Sequence, residues 1–75
     1  MKENDFLQFV AGIFEVSAES LSLETSYNSI PAWDSVMQLR IVMEIEAAYG
    51  VDIPIDRVAE LKTLAQFYEL VKGVR

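Results

Sequence analysis

The sequence predicts an all-α protein, a small four-helix bundle with a long loop between the first two helices and a short third helix. Apolar residues recur at helical spacing in three stretches of the chain, which is typical of helices that bury one face. Capping residues precede these stretches. Residues 17–33, between the first two stretches, have no sustained helical period and are predicted to form the loop.

The first helix is predicted over residues 4–15. Asn4 can cap its N-terminus. An apolar stripe with i, i+3, i+4, i+7 spacing follows and is expected to face the core; it consists of Phe6, Phe9, Val10 and Ile13, with Phe14 at its edge. Gly12 weakens a helix interior by about 1 kcal/mol relative to alanine, so we expect the helix to end early or to pack closely there.

The loop is long enough to be functional, because loops of this length without structure of their own are uncommon in compact domains. Leu21 and Leu23 are expected to pin it to the core. Trp33, the only tryptophan, is expected either to plug the loop-to-helix junction as a staple against Met37 or to hold a bound group directly.

The second helix is predicted over residues 35–49. Asp34 and Ser35 are both good N-cap residues, and Ser35 with Gln38 has the spacing of a capping box. Gly50 stands where a left-handed residue would end the helix. Helical spacing places four residues inward, Leu39, Val42, Ile45 and Tyr49, and four outward, Met37, Arg40, Glu44 and Ala47.

A short third helix is predicted over residues 56–61, capped by Asp56, and a fourth over 63–72, opened by a Thr63–Gln66 capping box. Gly73 fits the position just beyond the fourth helix. The predicted core of the bundle is Phe6, Phe9, Val10, Ile13, Leu39, Val42, Ile45, Tyr49, Val58, Leu61, Leu64, Phe67 and Val71.

Composition excludes several classes of function. The 12 acidic and 6 basic residues give a formal charge of −6, which disfavours nucleic acid and anionic membranes because phosphate neutralisation needs clustered Lys and Arg. Without Cys or His the chain has no thiolate zinc site and no Ser–His or Cys–His catalytic pair. We therefore expect a protein that is not an enzyme.

Length and hydropathy predict one domain, residues 1–75, without membrane insertion, because no apolar run approaches the ~20 residues that a spanning helix needs. The apolar run from Phe6 to Phe14 follows Glu3 and Asp5, which is the wrong flank for a signal peptide. We expect a cytoplasmic monomer.

Asp34-Ser35-Val36, followed by an apolar-patterned helix and by Tyr49-Gly50-Val51-Asp52-Ile53-Pro54, resembles the acyl carrier proteins and related phosphopantetheine carrier domains. Their motif is Asp-Ser-Leu, a helix that ends in aromatic-Gly, and then Ile-Pro. The resemblance extends over nearly the whole chain. It implies a four-helix bundle in which the short third helix lies beside the second and the two line a cleft for the carried group.

The resemblance also implies a 4′-phosphopantetheine arm, derived from coenzyme A, on Ser35, with Asp34 assisting the modifying enzyme through its magnesium ion. The partners would be a phosphopantetheinyl transferase and the enzymes that load and transfer acyl or aminoacyl groups. Met37, Arg40 and Ala47 occupy positions that are more acidic in fatty-acid carriers. A less basic, more apolar partner surface is therefore expected, and with it a specialised biosynthetic pathway. The predicted partner contacts are Trp33, Val36, Met37, Arg40 and Glu44.

A different class of function remains open at the level of sequence. A small helical interaction module could dock its second helix in a groove of another protein, with Ser35 serving only as a helix cap. Such a module would bind without modification and would tolerate Ser35→Ala.

Overall fold

The computed structural model describes residues 2–72 and confirms the all-α prediction. Its four helices are α1 (Glu3–Phe14), α2 (Ser35–Tyr49), α3 (Ile55–Val58) and α4 (Leu64–Val71), and a 3₁₀ turn occupies Ala18–Ser20. The only strand-like pairing within residues 2–72 is an isolated bridge between Ser26 and Thr63. The predicted stop at Gly73 lies outside the described residues.

Helix α1 begins without a side-chain cap, so the prediction that Asn4 caps it is wrong. Lys2 holds the N-cap position and Glu3 is already helical. Acidic side chains in the first turn, Glu3 and Asp5, interact favourably with the helix dipole instead. Gly12 does not end the helix, which continues to Phe14. It does not pack closely against another element either, because a Cβ placed there would meet nothing within 4 Å.

The core lies between α1, α2 and α4, with the loop closing one end. Its largest fully buried side chains are Trp33, Phe6 and Phe67. Nine predicted core residues are buried: Phe6, Val10, Ile13, Val42, Ile45, Leu61, Leu64, Phe67 and Val71. Three more, Phe9, Tyr49 and Val58, are half-buried and pack against the core. Leu39 was placed in the core wrongly, since its side chain is 53% exposed, and Ile41 is buried instead.

The residues before α2 form an ordered loop, as predicted, because backbone hydrogen bonds attach them to the start of α4. The Leu64 N–H donates to Thr25 O at 3.0 Å, and the Ala65 N–H donates to Leu23 O at 2.8 Å. The Leu21 side chain is buried and Leu23 is half-buried, so both leucines contact the core. This attachment fixes the chain path into α2.

The sequence predicted the start of α4 correctly but not the bounds of α3. Helix α3 starts at Ile55 after Pro54 and ends at Val58, so the predicted bounds of 56–61 and the cap by Asp56 are wrong. Pro54 has a helix-compatible φ of −60° and no N–H that would need an acceptor. The Thr63–Gln66 capping box of α4 is confirmed in both of its hydrogen bonds.

None of the helices within residues 2–72 combines the length and the apolar character that crossing a bilayer demands.

Candidate functional site

Ser35 is the first residue of α2, and its side chain is exposed. Among residues 2–72 it is the only exposed serine whose Oγ takes part in no hydrogen bond. The other exposed serine hydroxyls all bond to nearby backbone groups; these are Ser17, Ser20, Ser22 and Ser29. Ser26 is half-buried. Of the chain's serine hydroxyls, that of Ser35 is therefore the most available for reaction.

The start of α2 is built by Asp34, which is its N-cap. The Asp34 carboxylate Oδ1 accepts a hydrogen bond from the Met37 N–H at 2.9 Å. The N–H groups of Ser35 and Val36 have no acceptor among the described residues. Free N–H groups at a helix N-terminus favour a bound or attached anion. At the other end Gly50, with φ of 68°, ends α2 where the sequence predicted.

The predicted Ser35–Gln38 capping box is wrong, because the Gln38 side chain points into the protein. Its Oε1 accepts from Trp33 Nε1 at 2.7 Å, and its Nε2 donates to Val58 O at 3.0 Å and to Leu61 O at 2.8 Å. The residues next to Gln38 in the sequence do not indicate that its side chain bonds to distant parts of the chain.

Trp33 plugs the junction between loop and helix, which was one of its two expected roles, and Met37 packs against the core cluster to which Trp33 belongs. The hydrogen-bond partner of Trp33 is Gln38, and its ring packs against Phe14, Tyr27 and Phe67 with centroid distances of 5.5, 6.2 and 6.2 Å. Trp33 is 0% exposed. Its assignment as a partner-contact residue is therefore wrong, since a partner cannot reach the ring in this structure.

A cleft of about 420 Å³ opens beside Ser35, between α2 and α3. Ser35 lies at its edge and Gln38 lines it. The remaining walls are mainly apolar and come from Leu39, Ile55, Val58, Ala59 and Leu61, with Tyr27 and Lys62 completing the lining. Volumes of roughly 300–1,000 Å³ are usual for small-molecule sites.

An apolar face adjoins the cleft on its outer side. We use the term for Val36, Leu39, Met43 and Ile55, which are 75%, 53%, 67% and 84% exposed. They are the only exposed large hydrophobic residues within residues 2–72. Of these four residues, only Val36 was among the predicted partner contacts. Leu39 was predicted to lie in the core, and no prediction placed Met43 or Ile55 at the surface.

The remaining predicted contact residues take different positions. Arg40 and Glu44 form an ion pair on α2, with Arg40 Nε 3.8 Å from Glu44 Oε2. Both side chains are about half exposed, at 54% and 45%. Met37 is half-buried and packs against the core. Among residues 2–72, no group of three or more acidic side chains is placed to hold a metal ion.

The chain matches a known protein family over most of its length. The family model described as "Phosphopantetheine attachment site" matches residues 4–71. The chain belongs to this family. Its members carry a covalently attached 4′-phosphopantetheine, so the predicted family and cofactor are confirmed. The comparisons with curated proteins and with solved structures gave no significant match.

The residues around Ser35 fit such a group. An exposed hydroxyl without a hydrogen bond leaves room for a phosphodiester, and the N–H groups of Ser35 and Val36 can receive its charge. The neighbouring cleft offers apolar surface to whatever the arm carries.

Proposed function

We propose that this protein is an acyl or aminoacyl carrier and that Ser35 is the residue to which its phosphopantetheine arm is attached. The single observation that carries the proposal is the Ser35 hydroxyl, exposed and without a hydrogen bond at the first residue of α2, in a chain of the phosphopantetheine attachment-site family. When attached, the arm supplies a terminal thiol on which an acyl group is held as a thioester. The chain has no cysteine, so the sulfur must come from the arm.

The attachment reaction requires a separate transferase. No histidine or cysteine exists in the chain to deprotonate the Ser35 hydroxyl. The adjacent carboxylate, Asp34, uses Oδ1 to cap α2. This supports a carrier that is not itself an enzyme. Tethering raises the effective concentration of the carried group at each partner enzyme.

The proposal is tested by incubating the purified protein with a broad-specificity phosphopantetheinyl transferase, magnesium and coenzyme A. We expect intact mass spectrometry to show the addition of one arm and peptide fragmentation to place it on Ser35. No mass gain, or an arm on another serine, would refute the proposal. The rival function, an interaction module that acts unmodified, predicts no mass gain.

Asp34 is proposed to have two roles, as the N-cap of α2 and as a charge that assists the transferase. Asn caps helices about as well as Asp, whereas Ala costs about 1 kcal/mol. We therefore expect Asp34→Ala to lower both stability and the rate of arm attachment, and Asp34→Asn to lower the rate alone. Urea unfolding and kcat/KM of the transferase measure the two effects. An unchanged kcat/KM for Asp34→Asn would leave Asp34 with the capping role only.

The apolar face is proposed as the surface on which partner enzymes dock, and the partner surface is expected to be apolar rather than basic. Leu39 and Ile55 of this face line the cleft together with Ser35, and no other large hydrophobic residue of residues 2–72 is exposed. The charges beside it, Arg40 and Glu44, compensate each other. The chain has a charge of −6, but the four side chains of the apolar face carry none of it. Association should then depend on apolar burial.

This docking mode predicts a weak dependence on ionic strength. Between about 0.1 and about 1 M salt the Debye length falls from about 10 to about 3 Å, and we expect kcat/KM for arm attachment to stay nearly constant over this range. Met43→Ser should lower kcat/KM several-fold at every salt concentration, because it removes apolar contact area. Arg40→Gln is the comparison variant, which removes a charge instead of apolar area. We expect it to lower kcat/KM less than Met43→Ser does. A steep fall of kcat/KM with salt would contradict the apolar mode.

The composition of this face also supports a specialised biosynthetic pathway over fatty-acid synthesis, whose carriers present an acidic second helix. A single carrier domain, a monomeric state and a cytoplasmic location remain predictions. Mass spectrometry of the protein isolated from its native host would identify the group on the thiol and with it the pathway.

A further inference from the structure

The lining of the cleft beside Ser35 includes a buried, hydrogen-bonded carboxamide. This is Gln38, whose side chain is only 8% exposed and is the one buried polar side chain within residues 2–72. Behind it lies the indole of Trp33, which is 0% exposed. The Gln38 amide therefore separates the open cleft from the core.

The bonds of this amide join three parts of the fold. Oε1 receives the indole N–H of Trp33 from the loop before α2, and Nε2 donates to Val58 O and Leu61 O at and after the end of α3. An indole N–H can only donate and a backbone carbonyl can only accept, so the partners fix the orientation of the amide. Both N–H groups of the amide are used. We call this set of three hydrogen bonds the Gln38 bridge.

The bridge connects α2 to the end of α3. Gln38 is 8% exposed, whereas Leu39 and Ile55, which also line the cleft, are 53% and 84% exposed, so the bridge lies on the inner side of the cleft. A carried chain that extended past it would have to separate the amide from both carbonyls and would leave buried polar groups without partners, which is unfavourable. A chain that stayed on the outer side would contact the apolar walls formed by Leu39, Ile55 and Val58 and would leave the bridge intact.

We propose that Gln38 limits the depth of the cleft and so determines the length of the acyl group that the carrier shelters. Short acyl groups fold back into the cleft with their thioester, whereas longer chains stop at the bridge and stay in solvent. Gln38 is thus a specificity-determining residue for the carried group. The inference rests on the proposed function, since it requires an arm on Ser35.

The test loads the full chain with a series of acyl arms, from acetyl- and butyryl- to octanoyl- and dodecanoyl-coenzyme A, by means of the transferase. The readout is the rate at which hydroxylamine cleaves each thioester, relative to the same acyl-coenzyme A free in solution. For the wild type we expect several-fold slower cleavage of the acetyl and butyryl forms and a rate close to the free value for octanoyl and dodecanoyl.

Gln38→Ala removes the bridge and should extend slow cleavage to the octanoyl form. Gln66→Ala is the matched control, because Gln66 also hydrogen-bonds two backbone groups, the N–H groups of Lys62 and Thr63, but is exposed and does not line the cleft. It should keep the wild-type dependence on length. Circular dichroism establishes that each variant is folded. If Gln38→Ala does not fold, Gln38→Met replaces it. The length dependence of the wild type tests the inference without any variant.

Two results would overturn the length limit while leaving the attachment at Ser35 in place. The first is an octanoyl form of the wild type that is cleaved as slowly as the butyryl form. The second is an unchanged length dependence in a folded Gln38 variant. Both results require that the arms have been added. Absence of any mass gain on loading would instead reject the attachment at Ser35, and the length limit with it.

Discussion

Replacing Ser35 with alanine is expected to abolish arm attachment while leaving the fold intact. The Ser35 Oγ is the proposed acceptor, so its removal leaves the transferase without a nucleophile. The same oxygen makes no hydrogen bond within residues 2–72, and α2 keeps its Asp34 cap. We therefore expect the free energy of unfolding to change by no more than about 0.5 kcal/mol, as for other exposed sites.

The measurements are intact mass after incubation with transferase and coenzyme A, and urea unfolding followed by circular dichroism. Ser20→Ala is the matched control, because Ser20 is an exposed serine whose hydroxyl bonds only locally, to Ser17 O. It should accept one arm as the wild type does. A mass gain that persists in Ser35→Ala would assign the arm to a different residue.

Replacing Trp33 with alanine is expected to cost about 3–5 kcal/mol of unfolding free energy, the usual range for a buried aromatic residue. Trp33 is 0% exposed and contacts the rings of Phe14, Tyr27 and Phe67. The substitution would leave a cavity and an unpaired Gln38 Oε1. Since a domain of this size is stable by only about 4–11 kcal/mol, this loss should remove at least about a quarter of the total stability.

Trp33→Phe separates the cost of the cavity from the cost of the lost hydrogen bond to Gln38. Phenylalanine retains an aromatic ring but lacks the indole N–H, so the remaining loss should reflect mainly the unpaired buried oxygen of Gln38, about 1–3 kcal/mol. Unfolding must be followed by circular dichroism, because neither variant contains tryptophan. A loss below about 1 kcal/mol for Trp33→Ala, within the range of ordinary surface changes, would contradict the central position of this ring.

The parts of the fold that the sequence predicted correctly depend on local chemistry. The bounds of α2, its glycine stop at Gly50 and the Thr63–Gln66 capping box each follow from residues a few positions apart. The predicted face of α2 was partly wrong because this helix is apolar on more than one side. Leu39 was expected in the core but is exposed, and Gln38, expected to form a capping box with Ser35, is buried.

The candidate site was predicted to a similar extent. The sequence located Ser35 at the start of a helix, and the family comparison supports the resemblance from which its role was inferred. The sequence did not indicate that the other exposed serine hydroxyls are hydrogen-bonded in the loop, nor that Gln38 lines the cleft and bonds to carbonyls at and after the end of α3. Both facts depend on the folded path of the chain, which brings Gln38 against carbonyls 20 and 23 residues away.

The single tryptophan gives this protein a built-in optical reporter. Its indole is sealed from water and donates a hydrogen bond to Gln38, which lines the cleft, so the emission comes from one well-defined environment. Breaking that bond should shift the wavelength of the emission, so opening of the Gln38 bridge could be followed in real time without attaching a dye.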